Sequence, residues 1–122
     1  MQELSSSQFD LVRSLYDPIP HSRALVFSVI EGNNPGRVFV DRLGHPSIAV
    51  LRFAGGELFL AGRADNEATN REMVALLSTA LVPPGSHLII YTFSDAWGRA
   101  LDGLLRDRGV GHFVRETFVL DP

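Results

Sequence analysis

The chain has 122 residues, a formal net charge of -3 at pH 7 and 45% hydrophobic residues, which suits one compact domain and leaves no room for two. So mild a negative charge provides no electrostatic footprint for nucleic acid or an anionic membrane. There is no cysteine, and all 11 basic residues are arginine, which excludes disulfides, thiolate catalysis, cysteine-ligated metal, Schiff-base chemistry and a phosphate-loop lysine.

The first predicted element is a helix. Ser6 or Ser7 can cap it; Phe9, Val12, Leu15 and Tyr16 fall at helical spacing; Asp17-Pro18 ends it, because the residue before proline avoids the helical region. Ala24 to Ile30 is nearly continuous apolar sequence with β-branched residues, the pattern of a central strand covered on both faces. Gly32-Asn33-Asn34-Pro35-Gly36 is a turn cluster. Arg37 to Asp41 reads as a second strand, and Gly44-His45-Pro46 breaks the chain again. Ser47 to Phe53 and Glu57 to Ala61 form a hairpin across Ala54-Gly55-Gly56.

Asp65 or Asn66 caps the next helix, whose buried stripe is Met73, Leu76, Leu77, Ala80 and Leu81. Pro83-Pro84-Gly85 stops it, and His87 to Phe93 is a fifth strand. A third helix follows, capped by Ser94 or Asp95, with Trp97, Leu101, Leu104 and Leu105 on one face. Gly98 and Gly103 lie inside it and cost about 1 kcal/mol each relative to alanine. The last strand, Phe113 to Leu120, alternates. It leaves apolar groups that need a cover, from a second domain or a second copy of the chain. The whole reads as a single α+β domain over residues 1–122, with a mixed, mostly antiparallel sheet of about six strands and three helices.

No secretory signal is visible, since Met1 to Ser7 has neither a basic head nor an apolar core. No apolar run approaches the ~20 residues of a membrane span. The cytoplasm is the expected compartment. The four histidines, His21, His45, His87 and His112, form no ligand pair at helical or turn spacing, so no metal site is expected. There is no Gly-x-Ser-x-Gly, Walker or Rossmann motif.

Val29-Ile30-Glu31-Gly32 runs into Asn33-Asn34-Pro35-Gly36-Arg37-Val38-Phe39-Val40-Asp41. After it come Pro46-Ser47-Ile48-Ala49, Phe59-Leu60-Ala61-Gly62, Asp65-Asn66 and Asn70. On these residues the chain resembles a branch of the GNAT acetyltransferase superfamily in which an N-terminal domain precedes a GNAT domain bearing the cofactor motif. The Asn-Pro-Gly-Arg-Val-Phe-Val-Asp run carries most of the specificity. The resemblance implies a GNAT-like topology and acyl transfer from acetyl-CoA to an amine. In active members a loop of the form Arg/Gln-x-x-Gly-x-Gly/Ala follows the fourth strand. Its bare N–H groups and the next helix's N-terminus hold the cofactor pyrophosphate.

Here the equivalent loop is Gly62-Arg63-Ala64-Asp65-Asn66-Glu67-Ala68. Only Gly62 is a glycine, and Asp65 and Glu67 would set two carboxylates beside the phosphate charges, with Arg63 able to offset one. By position, Gly62, Arg63, Asn66 and Asn70 are the candidate cofactor contacts. Glu31 and Asp41, flanking the Gly/Asn/Pro turn, are the candidate base and amine anchor; capping and pairing with Arg37 or Arg42 are the structural alternative for Asp41. Capping explains Asn66; Asn70 has no obvious structural reason and is a candidate for a binding or buried-bridge role. The first functional expectation is a domain without catalysis of its own, needing no cofactor. It would partner a covalently linked C-terminal GNAT domain, or form a homodimer. The alternatives are a small acetyl-CoA-dependent N-acetyltransferase and a small-molecule binding module.

Overall fold

The computed structural model describes residues 1–19, 22–76 and 89–105. A two-residue strand, β1 (Gln2–Glu3), opens the chain. A 3₁₀ segment (Ser6–Val12) continues into α1 (Arg13–Tyr16). The cap is Ser5, one residue ahead of the expected serines; its backbone N–H donates to Gln8 Oε1 at 3.0 Å. Then come α2 (Arg23–Ile30), β2 (Gly36–Val40), β3 (Ile48–Phe53), β4 (Leu58–Gly62), α3 (Glu67–Leu76), β5 (Ile90–Tyr91) and α4 (Asp95–Leu105).

The strands form one sheet in the order β1-β2-β3-β4-β5. Its first three pairings are antiparallel and β4–β5 is parallel. The parallel pair needs a crossover, and α3 lies within it. Alternation along each strand separates two cores. Val38, Val40, Ala49, Leu51, Phe59 and Ala61 meet Val12, Tyr16, Val26, Val29 and Ile30 of the N-terminal helices on one face. Phe39, Ile48, Val50, Leu58 and Leu60 meet Met73 and Val74 of α3 and Trp97 and Leu101 of α4 on the other. Covered on both faces, β3 and β4 are apolar almost throughout.

The fold is α+β with a mixed sheet, as expected. Among the described residues it has five strands and four α-helices, where about six strands and three helices were expected. The main correction is at residues 24–30, which form a helix and not a central strand. A short apolar run with no interruption satisfies either period. The residues that are buried, Val26, Val29 and Ile30, stand three and four apart, while Ala24 is exposed. That is a helical stripe. Ser28, mid-run, turns its hydroxyl back onto the Leu25 carbonyl at 2.6 Å, the local bond a helical serine makes. β1 was not anticipated, because two residues carry no periodic signal. The strand expected over 87–93 is found at Ile90–Tyr91, with 87–88 outside the described residues; the strand expected over 113–120 lies wholly outside them.

Candidate functional site

The end of β4 is set by one glycine. Gly62 has φ +100°, and a Cβ there would stand 2.0 Å from the Ser47 carbonyl oxygen. That close approach lets the next residue, Arg63, donate its N–H to the same oxygen at 2.9 Å. Ser47 is itself fixed by Asp41. The Asp41 carboxylate accepts the Ser47 N–H at 2.9 Å, the Ser47 hydroxyl, and the Ile48 N–H at 3.1 Å. Burial pushes the Asp41 carboxyl up, but these bonds outweigh it and hold the group below its ordinary value. Arg42 Nε lies 3.7 Å away. Asp41 thus ties off the β2–β3 connection.

The loop into α3 is also closed on itself. Arg63 Nη2 meets Asp65 Oδ2 at 2.7 Å, which lowers the Asp65 carboxyl and raises the Arg63 guanidinium from their usual values. Asn66 caps α3 by accepting the Thr69 N–H on its side-chain oxygen at 3.0 Å. Asn70, one turn on and buried, reaches back to donate its amide to the Ala64 carbonyl at 2.8 Å. Its Oδ1 has no partner among the described residues. Glu67 pairs with Arg71 at 3.4 Å on the exposed side. Between these groups is an open hollow of about 520 Å³, lined by Arg42, Ser47, Ile48, Arg63, Asp65, Asn66 and Glu67. Its walls mix two guanidinium groups with two carboxylates.

On the other side of β4 the sheet parts. Phe59 and Tyr91 are the last residues paired between β4 and β5, and their rings stack at 5.0 Å. Beyond them Trp97 fills the gap from α4, its indole N–H donating to the Gly62 carbonyl at 3.0 Å. Ser94 caps that helix by accepting the Trp97 N–H at 3.3 Å. A mostly apolar recess of about 200 Å³ remains beside Leu15, Ile19, Leu60, Ala61 and Phe93. Tyr16, fully buried, donates its hydroxyl to the Phe59 carbonyl at 2.6 Å. Burial raises the phenol well above its ordinary value, so it is a structural donor.

Gly62, Arg63, Asn66 and Asn70 therefore converge at the β4–α3 corner. Glu31 and Asp41 do not converge. Glu31 follows α2 ahead of β2, and Asp41 follows the far end of β2, so the strand's length, about 17 Å at ~3.4 Å per residue, separates them. Glu31 faces Arg13 at 3.5 Å instead. Sequence reasoning missed Ser47, Tyr16 and Trp97 as parts of this region. Asp41 and Ser47 flanking a Gly-His-Pro break was the available signal for the first; the other two contacts depend on sheet order. Among the described residues no three potential metal ligands cluster, and no helix is long and apolar enough to cross a membrane. His45 is exposed in the β2–β3 connection, whereas His21, His87 and His112 lie outside the described residues.

No protein-family model matches the chain. Over all 122 residues it is 22% identical to a protein of Bacillus subtilis (strain 168), the uncharacterized N-acetyltransferase YdfB. The chain spans 46% of that relative's length.

Proposed function

We propose that this chain is a GNAT-like domain that accompanies an acetyltransferase domain and transfers no acyl group itself. The β4–α3 corner carries this reading. A bound diphosphate needs unshared N–H groups and positive potential at a helix start. At this corner the Arg63 N–H is committed to Ser47, the Thr69 N–H to Asn66, and the Arg63 guanidinium to Asp65. Asp65 and Glu67 add carboxylates where phosphate oxygens would lie. The residues present do not fit the pyrophosphate of acetyl-CoA.

The order of elements supports the GNAT-like topology that the sequence resemblance implies: helices before an antiparallel run of β2, β3 and β4, then α3 and the parallel β5. The relative that carries an acetyltransferase name is about twice as long, which leaves room for a linked domain with the cofactor motif. The role assigned to the chain is to pack against such a domain, or against a second copy of itself, and shape the acceptor side of the site, in the cytoplasm. Calorimetric titration with acetyl-CoA tests the reading. No saturable heat is expected, and saturable micromolar binding that perturbs the Arg63 and Asn66 amide resonances would overturn it.

The apolar recess beside Ala61 and Phe93 favours a second reading, catalysis by the chain itself as a small N-acetyltransferase, because it is large enough for a short acyl group. On that reading Glu31 or Asp41 supplies the base, and acetylation of a polyamine or amino-acid panel by the purified chain would be lost in Asp41→Asn or Glu31→Gln.

A further inference from the structure

Arg37 and Arg52 are directly opposed across β2 and β3. Phe39 and Val50, two residues along each strand, belong to the core under α3 and α4, so both arginines extend from that same face. Arg37 has its partner: Nε and Nη2 fork onto Glu3 at 2.9 and 2.8 Å, and the guanidinium lies 5.1 Å from the Phe39 ring centre. Arg52 has none. It is half-buried, its Nε is shielded from solvent without an acceptor, and it enters no ion pair among the described residues.

Two observations make this an unfinished arrangement. Like charges directly opposite on neighbouring strands repel each other. A guanidinium N–H withdrawn from water without an acceptor is destabilising as well. Glu3 gives its two oxygens to the Arg37 fork and forms no ion pair with Arg52. Glu57, at the end of the same hairpin, keeps a shielded Oε2 that is also unpartnered, so it does not serve Arg52 either.

We infer that Arg52, with Arg37 beside it, forms a binding site for one carboxylate. The planar fork of arginine suits a carboxylate held side-on. Arg37, Arg52 and Glu3 together carry a single net positive charge, which one monoanion neutralises and a phosphate dianion overshoots. The carboxylate comes either from a free small acid or from further sequence of the gene product. The site stands at the opposite end of β3 from the β4–α3 corner, Arg52 pairing with Leu58 and Ile48 with Gly62, and it is independent of whether acetyl-CoA binds.

The probe is acetate, with inorganic phosphate for comparison, read by the ¹H–¹⁵N resonance of Arg52 Nε in the wild-type chain at constant ionic strength. A saturable acetate shift, weaker for phosphate, is expected. It should weaken about tenfold or more in Arg52→Lys, which keeps the charge and loses the fork, and persist in Arg42→Gln. In the full-length gene product, an Arg52 Nε resonance already shifted without acetate identifies a protein-borne carboxylate and also supports the site. A non-saturating response in the isolated chain with no such shift in the full-length protein would overturn it, as would an Arg52–Glu57 ion pair in the anion-free state.

Discussion

Replacing Asp41 by alanine should cost the domain about 2–4 kcal/mol, a range set by the net worth of bonds to a charged group and the penalty for stranded donors. The bonds at stake are those from the Ser47 N–H, the Ser47 hydroxyl and the Ile48 N–H. The hydroxyl can turn to another acceptor; the two backbone groups cannot, and the Asp41 side chain they meet is only 10% exposed. Two charge-assisted bonds at about 1.5 kcal/mol each place the centre of the range near 3 kcal/mol. Asp41→Asn keeps one carbonyl oxygen and should lose about half as much. Urea unfolding at neutral pH reads both values.

The pH dependence adds a second, independent check. The Asp41 carboxyl sits below its ordinary value of 3.8 in the folded protein. Its contribution is therefore complete above that value and disappears as pH falls through the lower, folded one. Glu3 is depressed too, chiefly by its bonds from Arg37, so the wild-type curve alone mixes several groups. The difference between wild type and Asp41→Asn isolates one: flat near neutrality, shrinking below pH 3.8. A loss under about 0.5 kcal/mol in Asp41→Ala, the scatter of an ordinary surface change, would refute the assignment of Asp41 as the acceptor that ties off the β2–β3 connection. So would a difference that keeps its size in acid.

Two further substitutions test the packing. Gly62→Ala puts a methyl group 2.0 Å from the Ser47 oxygen at φ +100°, so β4 must shift off β3; thermal unfolding should report a loss of about 3 kcal/mol or more, and a loss under about 1 kcal/mol would disprove the close approach. Gly98→Ala should do the reverse, since a Cβ there meets nothing within 4 Å among the described residues, and a gain of about 0.5–1 kcal/mol in urea is expected from helix propensity; a loss would mean that another surface packs on that side of α4.

Elements with an unambiguous period were legible in the sequence. The β3–β4 hairpin follows from two apolar stretches around Ala54-Gly55-Gly56, and the observed strands begin one residue inside the expected limits. Asn66 was readable as a cap because capping is local. Residues 23–30 were not readable as a helix, because an apolar run of that length is decided by what covers it, and the stripe of Val26, Val29 and Ile30 emerges only against the sheet. The same limit applies to the site. Asp41 and Ser47 are close in sequence, but the bonds from Tyr16 to Phe59 and from Trp97 to Gly62 span 43 and 35 residues. The role left open for Asn70 takes the form of a buried amide bridging to Ala64.

The contrast between the antiparallel run β2–β3–β4 and the single parallel pairing to β5 bears on how the chain folds. Neighbouring strands joined by short turns come together with little loop-closure entropy, whereas β5 can dock only after the long connection through α3 has been organised. On the ribosome, residues 36–62 can zip as soon as they emerge, and the β5–α4 unit is the late arrival, held by two strand pairs and the indole of Trp97. Native-state amide exchange is expected to run in the same order, with the Tyr91 seam opening before the β3 interior; equal protection across both would mean that the sheet closes as one cooperative unit.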